Sequence, residues 1–216
     1  MLAWNIFRYI ADFSHLTSII VLLFRLLTKR SSAGISLRTH ILYMVVYITR
    51  YCNEGLLDPP VYNIIFKFFY LISGALIIYL LAFRFRKSYN KNHDNMQIQY
   101  LLILAIPLAY FTAQRKTWYH LSIAYSLWVE AVAILPQIFL LVRVENYDGL
   151  TVDYVFFLSI YRVFYLCNWI YKVITDTGKT PTVVWITGIL QTVLYSDFIV
   201  RYIISRTKGK TTVLPY

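Results

Sequence analysis

The chain has 216 residues, 59% hydrophobic and 14% charged, and its 21 Lys+Arg against 10 Asp+Glu leave a net charge of +11. Soluble domains run at about 45–50% apolar and ~25% charged, so a soluble fold is excluded, as are disordered and disulfide-stapled classes. A nucleic-acid binder is excluded too, because it would not spread 20 Tyr, 14 Phe and 5 Trp through nearly continuous apolar segments.

A bilayer-crossing helix takes about 20 mainly apolar residues. Turn and charge clusters divide the chain into seven such segments, near residues 7–27, 36–55, 60–82, 97–114, 118–142, 152–173 and 180–203. The breaks are Lys29 to Gly34, Asp58-Pro59-Pro60, Arg84 to Asn95, Gln114-Arg115-Lys116, Glu145 to Gly149 and Asp176 to Pro181. Arg8 and Asp12 interrupt the first segment where a signal peptide needs unbroken apolar sequence, so it reads as a retained span. Cys52 and Cys167 each lie inside an apolar segment, which argues for neither a disulfide framework nor a metal site. Thirteen cations fall on one side of the resulting topology, against Arg115, Lys116 and Lys179 on the other. The positive-inside rule then places the C-terminus and the loops after spans 1, 3 and 5 in the cytosol, with the N-terminus facing a lumen or the exterior.

Sliding the chain against itself by 115 residues lays Phe24 on Phe139, Gly34 on Gly149, Cys52-Asn53 on Cys167-Asn168 and His15 on Glu130; a shift of 114 lays Ser73-Gly74 on Thr187-Gly188. The sequence therefore predicts an all-α integral membrane protein of seven transmembrane helices. Residues 7–82 and 118–203 form two parallel three-helix repeats, joined by a linker helix at 97–114 and followed by a cytosolic tail at 204–216.

Ionisable groups at membrane depth cost about 2.5–3.5 kcal/mol each or more, so they normally face a protein interior and carry function. Span 1 places Arg8, Asp12 and His15 on one helical stripe, and span 2 does the same for Tyr43, Tyr47, Arg50 and Tyr51. Span 5 lines up His120, Ile123, Leu127 and Glu130, and span 6 lines up Arg162, Tyr165, Trp169 and Lys172, with Tyr161 and Asn168 beside them. Arg8, Lys172 and His120 are close enough to span ends that snorkelling to headgroups accounts for them equally well. Arg50, Glu130 and Arg162 have long apolar stretches on both sides. With Glu130 and Asp12 as the candidate acids, the inward stripes carry surplus positive charge, which suits an anionic ligand. Arg fits that task because its planar fork binds a carboxylate through two parallel hydrogen bonds. No nucleophile elbow, paired carboxylates, metal-ligand cluster or phosphate loop is present, so neither catalysis nor a cofactor is indicated. His40, and His93 with Asp94, sit in or beside polar segments and read as solvated.

These residues carry a resemblance. Asn5-Ile6-Phe7-Arg8, Asp12-Phe13-Ser14-His15-Leu16, Ala33-Gly34-Ile35-Ser36, Thr49-Arg50-Tyr51, Val132 to Gln137, Tyr161-Arg162, Asn168-Trp169-Ile170 and Leu194 to Phe198 resemble the KDEL receptors, or ER lumen protein-retaining receptors, nearly end to end. Pro136-Gln137 alone is shared with the wider PQ-loop group, whose SWEET-like fold has the same parallel repeats.

The resemblance implies a receptor that captures escaped ER-resident proteins in the acidic Golgi by a C-terminal Lys/His-Asp-Glu-Leu signal, returns in retrograde vesicles and releases them at near-neutral pH. By motif it assigns Arg8, Arg50 and Arg162 to the peptide's carboxylates, with Tyr51, Tyr165 and Trp169 lining the same cavity. His15 takes the pH-sensing position, Glu130 and Tyr161 a hydrogen-bonded lock, and Asp197 a role in transport. Lys208 and Lys210 would be read by the retrograde COPI coat; membrane lipids are the other partner implied, and nucleic acid is not. Four positions depart from the family pattern: Asn53 stands where an aspartate is usual, Lys172 where an arginine is usual, and His120 with Ile123 where a glutamate and a tryptophan receive the first signal residue. Anion capture is thus expected to be intact and first-residue recognition altered. Two further readings stay open on the residues alone: a carrier of a small acidic solute on the same fold, and a receptor paralogue that has lost peptide binding.

Overall fold

The structure is a computed structural model that describes residues 5–54, 56–57, 60–144, 149–175 and 180–207, and of residues 54, 149, 197–199 and 201–207 the backbone alone. Among the described residues every regular element is helical: α1 (Ile6–Lys29), α2 (Leu37–Glu54), α3 (Val61–Tyr79), α4 (Ile98–Thr112), α5 (Trp118–Val132), α6 (Leu135–Arg143), α7 (Gly149–Ile174) and α8 (Thr182–Thr207). A π-helical turn, Leu80–Arg84, prolongs α3, and α5 with α6 forms one rod, Trp118–Arg143. The break in that rod has a local cause. Pro136 has no N–H for the carbonyl four residues back, that of Val132, where α5 stops.

Each of the seven apolar segments is thus a helical rod, with ends a few residues from those expected. Among the described residues four rods, Ile6–Lys29, Val61–Arg84, Trp118–Arg143 and Leu150–Ile174, are long and apolar enough to cross a membrane; Ile98–Thr112 and Thr182–Ser196 are apolar but shorter. α8 continues through Thr207, so the first residues of the expected tail are helical, and Lys208 and Lys210 lie outside the described residues.

The local chemistry explains the ends of α1. Asn5 caps it by accepting the Arg8 N–H at 3.0 Å, and Arg30 closes it in the left-handed conformation at φ 48°. Arg25 is buried, not solvated as a loop cation would be, and donates to the carbonyls of Ser31 and Ala33.

The chain divides into two compact units, residues 1–34 with 141–216, and residues 35–140. In the first, α7 packs on both α1 and α8; in the second, α2 packs on α3 and α5, and α4 packs on α5. Lipid tails are as apolar as leucine, so close packing and hydrogen bonds hold such rods together. Small buried residues allow the approach: Ala11, Ser14 and Ser18 on α1, and Ala124, Ser126 and Ala131 on α5. Ile20, Phe24, Phe83, Phe111 and Ile174 point outward.

Two residues expected to be solvated are not. His40 is buried, and Asp94 is only 2% exposed. The segment after α3 folds back so that the Asp94 carboxylate accepts the Ser36 hydroxyl at 2.9 Å, the Arg38 N–H at 3.4 Å and the Tyr89 hydroxyl. A carboxylate is favoured there because the first N–H groups of α2 lack intrahelical partners and carry the positive end of the helix dipole. Burial first, then Asp94, pushes the Tyr89 phenol above its ordinary range, so the hydroxyl stays a donor. Gln137 completes the knot: its Oε1 accepts the Ser36 N–H at 2.8 Å and its own N–H donates to Thr39 Oγ1 at 3.0 Å. Exposed His93 matches expectation.

Candidate functional site

In the unit formed by α1, α7 and α8, the polar stripe of α1 meets the aromatic stripe of α7. Asp12 is 7% exposed, lies 3.6 Å from Arg8 Nε and accepts the hydroxyl of Tyr165. One turn on, the His15 ring stacks on Tyr161, with centroids 4.5 Å apart and planes 13° apart. Arg162 is 6% exposed, and its guanidinium lies 4.5 Å from the centre of that same Tyr161 ring. Toward the end of α7, Tyr165 leads to Trp169 at 6.2 Å, and Trp169 meets Trp185 of α8 edge-on at 6.0 Å. Asn5 donates to Asn168 at 2.7 Å, pinning the start of α1 beside Trp169.

Gly188 makes the Trp169 position possible. A Cβ at Gly188 would lie 2.1 Å from Trp169 Cζ3 and 2.5 Å from Cη2, distances no real side chain tolerates. The indole therefore lies against the bare α8 backbone. Lys172, one turn beyond Trp169, is partly exposed. Asp197 is on α8, and its side chain lies outside the described residues.

In the unit formed by α2 to α5, Arg50 is held from α5: its Nη2 donates to Glu130 Oε2 at 2.6 Å and its Nε to Ser126 Oγ at 3.2 Å. The Glu130 side chain is 8% exposed, so the pair is shielded from water on the acid's side. Tyr51 stacks flat on Tyr47 at 5.8 Å, and Tyr47 in turn on Tyr70 of α3 at 5.6 Å. Asn53 donates to Ser122 Oγ and to the Thr49 carbonyl. His120 is bound locally, its Nδ1 2.7 Å from Thr117 Oγ1, and Ile123 is half-buried one turn further.

The inward stripes thus bring Arg8, Asp12, His15, Tyr161, Arg162, Tyr165 and Trp169 together in one unit, and Arg50, Tyr51, Asn53 and Glu130 in the other. Sequence reasoning missed Lys67, which is 7% exposed on α3. Its signal was available: Lys67, Tyr70, Ser73 and Ile77 recur at helical spacing and are all buried. Among the described residues, no group of three or more His, Cys, Asp or Glu could hold a metal ion.

Apolar rods whose shielded arginines each face an aromatic or acidic neighbour define a helical membrane protein with charged groups held inside its helix seams. Comparison with known proteins narrows this. Residues 31–172 match the profile of the ER lumen protein retaining receptor family. The chain is 39% identical to the ER lumen protein-retaining receptor of Entamoeba histolytica, over 99% of this chain and all of that protein. It is also 39% identical to the Saccharomyces cerevisiae receptor of that name and 37% to that of Drosophila melanogaster, each over 98% of this chain and 99% of the other. The chain belongs to the ER lumen protein-retaining receptor family, a family of receptors and not of enzymes.

Proposed function

We propose that the protein is a retrieval receptor of the ER and Golgi membranes, binding the C-terminal KDEL- or HDEL-like signal of escaped lumenal ER proteins in the acidic Golgi and releasing it at neutral pH. The observation that carries this reading is a guanidinium in each unit, Arg50 and Arg162, shielded by helices of that unit and fixed by a named partner. A peptide ending in acidic side chains and a carboxylate is the ligand such groups recognise. The relatives reported are receptors by name, which does not favour the solute-carrier reading.

The same reading takes the chain as seven spans in two parallel repeats, with a lumenal N-terminus and a cytosolic C-terminus. Support for the repeat comes from the internal geometry of each unit. α1 runs antiparallel to α7, and α2 antiparallel to α5, as the pairs Asn5–Asn168 with His15–Tyr161 and Asn53–Ser122 with Arg50–Ser126 require. The 115-residue shift carries Asn168 onto Asn53, and each of the two ties its seam near the same end.

His15 is the proposed sensor. The charged groups on its own stripe are Arg8 and Asp12, which pair at 3.6 Å, and the one on the facing stretch of α7 is Arg162. If the bound state holds a proton on His15 more tightly, linkage requires capture to strengthen as pH falls and to be lost as pH rises. Peptide affinity of purified protein at pH about 5.5 and 7.4 brackets the ordinary histidine range. The expected result is tighter binding in acid and a flattened profile in His15→Ala; equal affinity at both values would overturn the pH-driven cycle. The same assay with peptides varied at the first residue reads whether His120 and Ile123 weaken the preference for Lys, as the missing carboxylate and indole predict. Lys208 and Lys210 are proposed as the coat-read signal, and Asp197 as a transport residue. Replacing both lysines with serine should leave peptide affinity unchanged and strand the receptor in the Golgi; normal return to the ER would overturn that role.

A further inference from the structure

Beside the polar cluster of the second unit, with which it shares Asn53, α2, α4 and α5 enclose a crevice of about 600 Å³ that opens on one side. Ile48 and Cys52 of α2, Ala109 and Tyr110 of α4, and Trp118 and Tyr125 of α5 line it, and its surface is almost wholly apolar. Apart from the ring residues Tyr110, Trp118 and Tyr125, three polar side chains line it, and all three are already engaged. Thr49 Oγ1 donates to the Val45 carbonyl at 2.7 Å, Asn53 donates to Ser122 and to the Thr49 carbonyl, and Ser122 Oγ donates to the Trp118 carbonyl at 2.9 Å. Such a space makes no demand for water or a polar ligand, whereas its size suits an organic molecule. It runs two turns along α5, about 10 Å, on a rod long and apolar enough to cross a membrane. The bilayer itself is therefore the source of an occupant.

Charge says which lipid. At the end of the crevice α4 leads into Arg115 and Lys116, both exposed, and Lys116 Nζ sits 4.5 Å from the centre of the lining Tyr110 ring. No Asp or Glu occurs between residues 106 and 125. Two cations beside an apolar slot match an anionic phosphate on a hydrocarbon tail. From the lining, the spent polar groups and this flanking charge, we infer that the crevice between α2, α4 and α5 binds an acyl chain of a phospholipid whose anionic headgroup is held by Arg115 and Lys116. The tail would keep water from the Asn53–Ser122 hydrogen bond and, one turn along α2, from the Arg50–Glu130 pair, which is stronger in a dry setting. The inference does not depend on which peptide the protein binds.

The test uses the full chain in phosphatidylcholine bilayers containing a phospholipid with a diazirine in its acyl chain, carrying a serine or a choline headgroup, and maps the adducts by mass spectrometry. Adducts should concentrate on the crevice walls of α4 and α5, several-fold above the outward face of α3 at Ile65 and Ile72, and the serine headgroup should give several-fold more than choline. Ala109→Phe fills the slot from behind. Cys52→Phe fills it from the open rim without disturbing buried packing, so a folding defect in the first variant leaves the second to decide. Either should remove the crevice adducts and spare those on α3. The double variant Arg115→Gln, Lys116→Gln should abolish the headgroup preference while keeping the adducts. Labelling no denser in the crevice than on α3, or untouched by a folded filling variant, would reduce the lipid to an ordinary annular neighbour; equal labelling by both headgroups in the unmodified protein would remove Arg115 and Lys116 from the site.

Discussion

Two antiparallel seams, one in each unit, invite comparison. Along α1 and α7, His15 lies flat on Tyr161, Arg162 covers the Tyr161 ring and Asp12 takes a tyrosine hydroxyl. Along α2 and α5, the contact is a direct ion pair at 2.6 Å, flanked by Ser126 and the Asn53–Ser122 bond. The aromatic seam holds its cation by quadrupole attraction, on the order of 0.5–2 kcal/mol. The ionic seam holds Arg50 with a partner whose loss strands a shielded charge. The first contains an imidazole stacked on a phenol, and the second is a polar tie fixed by two hydrogen bonds from one guanidinium. The matched glycines extend the parallel: a Cβ at Gly74 would meet Met44 at 3.1 Å and Tyr47 at 3.6 Å, as one at Gly188 would meet Trp169.

The largest effect that would break this comparison is loss of either arginine. Arg50→Ala and Arg162→Ala should each weaken peptide binding by about 30-fold or more, since truncating one member of a shielded charge pair costs at least 2 kcal/mol as a rule. Arg50→Lys should fail as well, because a point charge cannot span Ser126 and Glu130 as the fork does. Titration of signal peptide against folded variants in acid measures this, and unchanged affinity in both alanine variants would remove the two seams from the binding site.

Gly188→Ala should act through Trp169. Overpacking of this kind costs about 1–3 kcal/mol, and the strain should appear as roughly tenfold weaker capture. In combination with Trp169→Phe the added methyl should cause no further loss, the non-additivity expected of residues in contact. Fully additive losses would show that Gly188 does not position the indole.

The smallest effect on capture belongs to Asp94. Asp94→Ala leaves the Ser36 and Tyr89 hydroxyls without their acceptor, so thermal stability should fall by about 1–3 kcal/mol, with Asp94→Asn losing less and peptide affinity in folded protein unchanged. A stability equal to that of the unmodified protein would mean the knot at the start of α2 contributes nothing to the unit.

Much of this was legible in the sequence. Helical periodicity faced Asp12, His15, Glu130 and Arg162 inward, and all four are 7% exposed or less. Composition misjudged Asp94 and His40, because a polar stretch between apolar rods reads as solvated whether or not it folds back onto a helix start. Pro136-Gln137 was visible as a motif, but its work, ending α5 and clamping Ser36 and Thr39, was not.

What the sequence by itself determined is everything set by neighbours within a few turns: rods, their apolar faces, the inward cations and the motifs that carry the family. What only the tertiary structure decided is partnership. That Asn5 meets Asn168 across 163 residues, that Arg50 meets Glu130 across 80, and that Gly188 leaves room for Trp169 follow from which rods pack together. A helical stripe states which side chains face a neighbouring helix; it carries no information about which helix that is, because the 3.6-residue period is a property of each rod alone.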